Sequence, residues 1–414
     1  MADTHSKYLI IGNAIAAVGG ITGIRTVDPL GSITVISGED RPVYSRPLIS
    51  YWLEGRVEKE NIRYRDRDFY EKNDVSVEYG VMATAVDAKR KIVTLTGGRT
   101  ISYEKLLVAT GSHPFVPPIP GRDSAKNTFT FTTMDDAEGI AEVLTPESQV
   151  VILGAGLIGL KAGEALMDQC GSLTVVDLAD RVLPSVLDAE CAALYADYLE
   201  GLGMALRLGT SITQIGEGEV TLSDGDTLAY DILILAVGTR PESSLVESAG
   251  GDVQRGIVTD RQQRTTLLDV YAAGDCTQSY DCSSETEKNM AILPNAYLQG
   301  EVAGINMAGG EAVYTRAFPV NAMGIKGYYM LTAGSTMGDP VVVEKKGTLK
   351  KFYIQDDRLV GFIILGDCDR GGIYTELIRN QTPLSETDWA MLMEAPRLAA
   401  FGKNIRKADL AEAH

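Results

Sequence analysis

The sequence predicts an α/β fold built from two repeated βαβ units, with a smaller α+β domain after them. Three observations carry this. A Gly-x-Gly-x-x-Gly turn at 154–159 stands between a β-branched run and an apolar helix; a degenerate copy of the same arrangement stands at the N-terminus; and beyond residue 316 the helix–strand alternation gives way to antiparallel strand patterns.

The central copy is the fuller one. Val150 to Leu153 read as a buried parallel strand, and Leu157, Leu160 and Leu166 with interspersed alanines begin an amphipathic helix. Gly154 permits the tight turn. Gly156 lets a pyrophosphate approach backbone N–H groups at the positive helix end, which Leu157 and Ile158 open, and Gly159 lets helix and strand pack closely. A second strand ends in Asp177, about 20 residues past the glycines, where a carboxylate receives an adenine ribose diol. The same carboxylate would repel the 2′-phosphate of NADP, so the ligand expected of this Rossmann-like unit is NAD.

At the N-terminus Lys7 to Ile11 form a strand, Gly12-Asn13-Ala14-Ile15-Ala16-Ala17 turns into a helix, and Ile33 to Ile36 form a second strand. Alanines hold the places of the second and third glycines, so taken alone this copy fits plain α/β packing as well as a dinucleotide site. The better copy later in the chain weights it toward the site. Glu39 lies just past the second strand and is the candidate for a ribose, although Ser37 occupies the more usual point. Arg41 to Trp52 make a proline-stiffened loop opening a helix, in which Arg46, followed by Pro47, either clamps a pyrophosphate or is an exposed loop arginine.

Val75 to Leu107 read as a small β-meander, leading through Ala109-Thr110-Gly111 to a proline-rich crossover from Pro114 to Gly121. The central unit carries a hairpin, Ile212 to Thr221 paired with Thr227 to Tyr230, and closes at Ala236-Val237-Gly238. That exit repeats Ala109-Thr110-Gly111, so the two mark the ends of homologous halves. Val270 to Asp275 form a short strand with a Gly-Asp tip, and Pro294-Asn295-Ala296 begins a helix running through Met307. Antiparallel strands are expected at Met330 to Ala333, Val341 to Lys345, Leu349 to Ile354 and Leu359 to Leu365. Helices at Ile373 to Asn380 and Glu386 to Met393 follow, then an Ala-, Lys- and Arg-rich tail from Pro396.

A net charge of −18 over 414 residues argues against nucleic acid or an anionic membrane as a partner. The five cysteines (Cys170, Cys191, Cys276, Cys282, Cys368) form no C-x-x-C pair, zinc spacing or cluster spacing. A reduced, cytoplasmic chain without a metal site of its own is therefore expected. The apolar run Tyr8 to Ile24 is too short and too Gly-rich to span a bilayer and has no convincing cleavage site, so the protein is expected to be soluble.

Taken in order, the first glycine turn, Ala109-Thr110-Gly111, Gly154 to Gly159, Ala236-Val237-Gly238 and Tyr271 to Asp275 resemble the pyridine nucleotide-disulfide oxidoreductases, the flavoproteins with two dinucleotide-binding domains. Within them the chain is most similar to rubredoxin and ferredoxin reductases, NADH oxidases and the flavin domain of nitrite reductase, over essentially its whole length. The resemblance implies an FAD-binding domain of residues 1–113 and 241–315, interrupted by an NAD-binding domain of 114–240, with a C-terminal α+β interface domain of 316–414. It implies that Gly12 and Arg46 hold the FAD pyrophosphate beside Ala14 and Pro47, and that Asp275 after Gly274 binds a ribityl hydroxyl. Thr110-Gly111 and Gly238 would let backbone approach cofactor. The helix opened by Pro294, Asn295 and Ala296 would point its N-terminus at the flavin pyrimidine, where its dipole favours negative charge; without the family the trio reads as a capped helix start.

Departures from the family narrow the function. Disulfide reductases carry C-x4-C on the helix after the ribose strand, and the peroxidase and coenzyme A disulfide members a single cysteine there. Here no cysteine precedes Cys170, which excludes the disulfide branch. Rubredoxin-reductase-like members carry a lysine after Arg-Pro near the flavin and a glutamate after the third glycine; the matching positions here are Tyr51 and Lys161. Two readings of Lys161 stay open: a cation moved across the domain boundary to flavin N5, or a solvent-facing helix residue. His113 stands in a linker, where a loop role is expected.

The implied activity is hydride exchange between NAD(H) and FAD, with single electrons passed to or from a second carrier. No cysteine set for a cluster exists in the chain, so the carrier is an external iron–sulfur protein or subunit. The stretches Tyr44 to Ser50 and Pro294 to Gly300 resemble flavoprotein subunits that accompany carbon monoxide dehydrogenase and 2-oxoacid:acceptor oxidoreductases, aryl-glyoxylate types among them. The chain would then be the NAD-reducing subunit, its tail after Pro396 a docking element, and its C-terminal domain either a homodimer contact or a dock for other subunits. The first alternative is a free-standing NADH oxidase or rubredoxin/ferredoxin reductase. The second is a scaffold or sensor that binds both nucleotides without turnover.

Overall fold

The computed structural model of the chain describes residues 3–402. β1 (Thr4–Ile11), α1 (Ile15–Val27) and β2 (Ile33–Ile36) come first, then α2 (Leu48–Leu53) and α3 (Phe69–Lys72), then β3 (Val75–Glu78), β4 (Ala83–Asp87), β5 (Ile92–Leu95) and β6 (Thr100–Val108). They form a sheet in the order β3-β2-β1-β6-β5-β4. The expected meander divides within this sheet. Val75–Glu78 lies parallel to β2, Ile33 opposite Val75, and only β4, β5 and β6 run antiparallel. Val75 and Val77 pack on the core beneath α1 with Tyr64, Phe69 and Tyr70, and a helix-bearing connection delivers a strand parallel to the one it left.

The chain then passes through β7 (Ser112–Pro114), β8 (Thr128–Phe129), α4 (Met134–Val143), β9 (Gln149–Leu153), α5 (Leu157–Leu166), β10 (Ser172–Asp177), α6 (Ala189–Gly201) and β11 (Ala205–Leu208). β12 (Ile212–Ile215), β13 (Glu219–Leu222), β14 (Thr227–Ala229), β15 (Ile232–Leu235) and β16 (Thr239–Pro241) follow. A second parallel sheet has the order β11-β10-β9-β15-β8, with β12-β13-β14 as a separate ribbon. The expected hairpin thus has three strands, because Gly216 to Gly218 turns the chain inside its first arm. α4, which periodicity alone does not reveal, is fixed by a Thr133/Asp136 capping box. The proline-rich crossover is held by β7 pairing antiparallel with β16, so the outward and return connections run side by side.

After α7 (Ser244–Ser248) and β17 (Ile257–Val258), β18 (Val270–Ala272) joins the first sheet parallel to β6. The chain has returned to the unit it left. β19 (Thr277–Asp281) and β20 (Thr286–Lys288) make a hairpin, and α8 (Leu293–Met307) packs on α1. A Cβ at Gly19, Gly23, Gly300 or Gly304 would collide with a backbone carbonyl of the facing helix. α1 and α8 therefore meet backbone to backbone, an approach that only glycine permits.

The last unit is β21 (Val320–Ile325), β22 (Tyr328–Gly334), β23 (Val341–Lys345), β24 (Thr348–Gln355) and β25 (Arg358–Leu365), followed by α9 (Gly372–Asn380) and α10 (Trp389–Glu394). Its sheet order is β21-β22-β25-β24-β23. β21 adds a strand to the expected four. The expected helix at Glu386 to Met393 breaks into a 3-10 turn, Leu384–Glu386, and α10, because Thr387 is extended and the Asp388 side chain caps the next turn. Both faces of this sheet are apolar. Met330, Leu349, Tyr353, Ile363 and Leu365 pack against α2, α5 and α6, while Phe352, Phe362 and Ile364 pack against α9 and α10. Of the expected docking tail, Ala400 and Phe401 are buried in this second cluster; residues 403–414 lie outside the described residues. Among the described residues no helix is long and apolar enough to cross a membrane, and no group of three metal-ligating side chains converges.

Candidate functional site

The two glycine turns share one construction. Gly12 N–H donates to the Ile36 carbonyl at 2.8 Å, and Gly154 N–H to the Val176 carbonyl at 2.7 Å, each at the end of the neighbouring strand. Their φ values are +103° and +120°. A Cβ at Gly12 would lie well inside van der Waals distance of the Ala109 carbonyl, and one at Gly154 equally close to that of Ala236. The repeated exits are therefore the seats on which the turns rest. Gly111 and Gly238, two residues further, also have positive φ, and a Cβ there would meet nothing within 4 Å.

Beyond the first glycine the turns diverge. Gly156 stands at the N-cap of α5, and a Cβ on it would meet no atom within 4 Å, so the position is open toward whatever lies in front of the helix. Gly159 is the reverse: a Cβ would run into the Gly154 carbonyl. In the first turn Ala14 caps α1 and Ala17 is fully buried. Asn13 supplies what the glycines do not. Its Oδ1 accepts the Tyr70 hydroxyl at 2.6 Å while its buried Nδ2 has no partner among the described residues.

The acidic residues beside the two turns also differ. Asp177 accepts from Ala155 N–H at 2.6 Å and from Ala179 N–H at 2.8 Å, so its carboxylate is fixed against the central turn. The corresponding Ser37 bonds the Glu39 carbonyl at 2.7 Å. Glu39 takes the Tyr44 hydroxyl at 2.7 Å and the Arg46 guanidinium at 2.5 Å. Arg46 also donates to the Thr132 carbonyl at 2.7 Å, so it bridges the first unit to the segment entering α4. Burial drives the Tyr44 phenol far above its ordinary range, and the hydroxyl stays a donor to Glu39.

Three elements converge at the first turn: the start of α1, the Gly274-Asp275 tip and the start of α8. A Cβ on Gly274 would stand 3.0 Å from that of Ala16 and 3.6 Å from that of Ala296, and Gly274 N–H is held by Gln299 Oε1 at 2.7 Å. Desolvation raises the Asp275 carboxyl above the usual carboxylate range, while Arg46 and the Ser112 hydroxyl at 3.4 Å pull it back. Asn295 is occupied through its side chain, accepting from Tyr314 at 2.6 Å, so at Pro294-Asn295-Ala296 only backbone is left for a ligand. Thr110 likewise gives its hydroxyl to the Glu242 carbonyl at 2.6 Å. Asn13, Ser112 and Gln299 were not singled out by sequence; Gln299, one helical turn after Asn295, had a signal in that spacing.

Tyr51 and Lys161, far apart in sequence, are brought together where α2 crosses α5. The Lys161 ammonium stands 4.3 Å from the centroid of the Tyr51 ring and pairs with Glu164. Its side chain is only 18% exposed, which overturns the solvent-facing reading. His113 lies in the crossover ribbon, 3.1 Å from Glu242. Burial raises all five thiols above the ordinary range, Cys276, Cys282 and Cys368 to about 11 and Cys191 to about 12, so none is poised as a thiolate.

Paired glycine turns on the parallel strands of two sheets, with an acidic strand end at one and a Gly-Asp tip at the other, define an oxidoreductase of the two-dinucleotide class. The chain belongs to the pyridine nucleotide-disulphide oxidoreductase family, whose model matches residues 6–300. It is 33% identical over 397 residues to the NADH-dependent phenylglyoxylate dehydrogenase subunit epsilon of Aromatoleum evansii, covering 93% of this chain and 94% of that one. It is 26% identical over 371 residues to the NADH-rubredoxin oxidoreductase of Clostridium acetobutylicum, 88% of this chain and 92% of that one. The crystal structure of the covalent putidaredoxin reductase–putidaredoxin complex contains a chain of the same fold, with TM-score 0.85 and 24% identity over 92% of this chain and 94% of that one. The protein is accordingly an NAD(H)-dependent flavoprotein oxidoreductase whose cofactors are FAD and NAD.

Proposed function

We propose that this chain is the NAD-facing flavoprotein subunit of a multi-subunit 2-oxoacid:acceptor oxidoreductase of the aryl-glyoxylate type, exchanging electrons with an external iron–sulfur carrier. The observation that carries this is the 33% identity, over nearly the whole of both chains, to the epsilon subunit of phenylglyoxylate dehydrogenase. The absence of a poised thiol agrees, since electrons then leave by a carrier rather than a disulfide.

In this reading residues 1–113 and 241–315 bind FAD, 114–240 bind NAD, and the remainder is the interface domain, cytoplasmic like the rest. Bound FAD supplies the exchange between hydride chemistry and single-electron carriers. The first turn suits it: the Asn13 Nδ2 donor needs an acceptor, and a diphosphate is one. Gly12 would set the turn, its own N–H being held by the Ile36 carbonyl, and Ala14 would present a backbone N–H group, with Arg46 beside Pro47 supplying the cation. Asp275 would hold a ribityl hydroxyl, and Glu39 a ribose hydroxyl besides its present partners. Gly111 and Gly238 leave room for cofactor, and the start of α8 would offer its dipole to the flavin. At the second turn Gly156 would admit the NAD pyrophosphate and Asp177 the ribose, and Lys161 with Tyr51 would be the pair facing the flavin.

The test is an affinity pull-down of the native chain from its own cells, assayed for iron, flavin and mass. Recovery in an iron-rich assembly with a 2-oxoacid-oxidising subunit is expected. Recovery as an iron-free monomer or dimer overturns the subunit reading and favours the free-standing reductase, for which the likeness to NADH-rubredoxin oxidoreductase speaks; rapid partner-independent oxygen consumption would then identify an oxidase. Slow flavin reduction by NADH would instead indicate a sensor.

A further inference from the structure

Glu164 is a buried carboxylate that hydride transfer does not require. It is 2% exposed on α5, one turn after Lys161, and its two oxygens go to different parts of the molecule. Oε2 takes the Lys161 ammonium; Oε1 accepts the backbone N–H of Lys326 at 2.9 Å. Lys326 is the first turn residue between β21 and β22, and its ammonium reaches Glu54 at 3.0 Å and Asp168 at 2.6 Å. Glu54 caps the C-terminus of α2, the helix that carries Tyr51. Glu164 and Lys326 together therefore tie α5 of the second unit to the hairpin of the third, and the hairpin to α2 of the first.

We infer that Glu164 is a positioning residue: it fixes the Lys161 ammonium over the Tyr51 ring, neutralises it, and anchors it to the C-terminal hairpin. The inference rests on the reading that Lys161 faces the flavin. A carboxylate at this depth is held ionised by counter-charge and hydrogen bonds; here it has the Lys161 ammonium and the Lys326 backbone N–H, and the second donor stays in place when Lys161 is replaced. The site then presents a neutral ion pair rather than a bare cation. Removing either partner exposes the charge of the other to the flavin, with opposite signs.

The experiment is the flavin midpoint potential of the holoprotein in Lys161→Met, Glu164→Gln and the double variant, with flavin content and thermal melting as controls for folding. Lys161→Met should lower the potential and Glu164→Gln raise it. Each shift should change the reduced-to-oxidised ratio at a fixed ambient potential roughly tenfold, the size expected of one uncompensated charge in a partly buried site. The double variant, a neutral pair of similar shape, should return close to the native value; a residue that only holds the fold together gives no such reversal of sign. If Glu164→Gln alone fails to retain flavin, the double variant against Lys161→Met isolates the same charge. An unchanged potential in Lys161→Met overturns the flavin-facing reading and this inference with it. A lowered potential in Lys161→Met, with none of it recovered in the double variant, overturns the role of Glu164 alone.

Discussion

The turns at Gly12 and Gly154 are built on one backbone plan and furnished differently. Each rests a positive-φ glycine on the carbonyl of an Ala-x-Gly exit. Past that point the second turn is cleared by glycines and closed by an aspartate bonded to its own backbone, whereas the first keeps alanines and adds Asn13, Glu39 and Arg46. The difference teaches which glycines belong to folding and which to the ligand. A glycine whose Cβ would strike a carbonyl is required by the chain; Gly156, with an ordinary φ of −85° and open space at its Cβ, is required by neither strain nor packing, which leaves its place to a ligand as the prediction to test.

The shared part is broken most severely at its base. Gly12→Ala and Gly154→Ala should each cost about 4 kcal/mol or more, from left-handed strain plus a carbonyl clash, read as loss of the urea unfolding midpoint. If either tolerates the methyl, the common plan is wrong. Next comes the third position. Gly159→Ala should cost about 3 kcal/mol, while the matching Ala17→Gly should cost only about 1 kcal/mol of helix propensity, and equal losses in the two would erase the contrast.

The acids should separate by ligand. Asp177→Ala should raise the NADH dissociation constant about thirtyfold, or about 2 kcal/mol, and leave FAD bound; Glu39→Ala should loosen FAD and leave NADH affinity alone. Titration of both variants decides it, and a crossed result would reassign the halves. The smallest effect belongs to Gly156→Ala, which should cost about 1 kcal/mol or less, the cost of alanine at an N-cap, yet weaken NADH about tenfold. An unchanged NADH affinity there would mean that the open space is not a ligand's.

Much of this was legible along the chain. The repeated exits, the Gly-Asp tip and the Pro294 helix were found where local pattern placed them, because each depends on residues adjacent in sequence. The parallel pairing of Val75–Glu78 was not, since a short V-x-V run pairs equally well in either direction until α1 covers it. Lys161 was only half legible. Its place on α5 followed from the turn, but its neighbours did not, since Tyr51 comes from another unit and the Lys326 hydrogen bond to Glu164 from a third.

The sequence by itself determined the class of fold and the places of the two glycine turns along it, because glycine φ requirements and hydrophobic periodicity act over a few residues. Only the tertiary structure decided that α1 and α8 touch along their glycines, that both faces of the last sheet are covered, and that Lys161 is neutralised rather than solvated. These depend on distance across units, and electrostatic and packing energies are functions of separation in space, which the order of residues does not record.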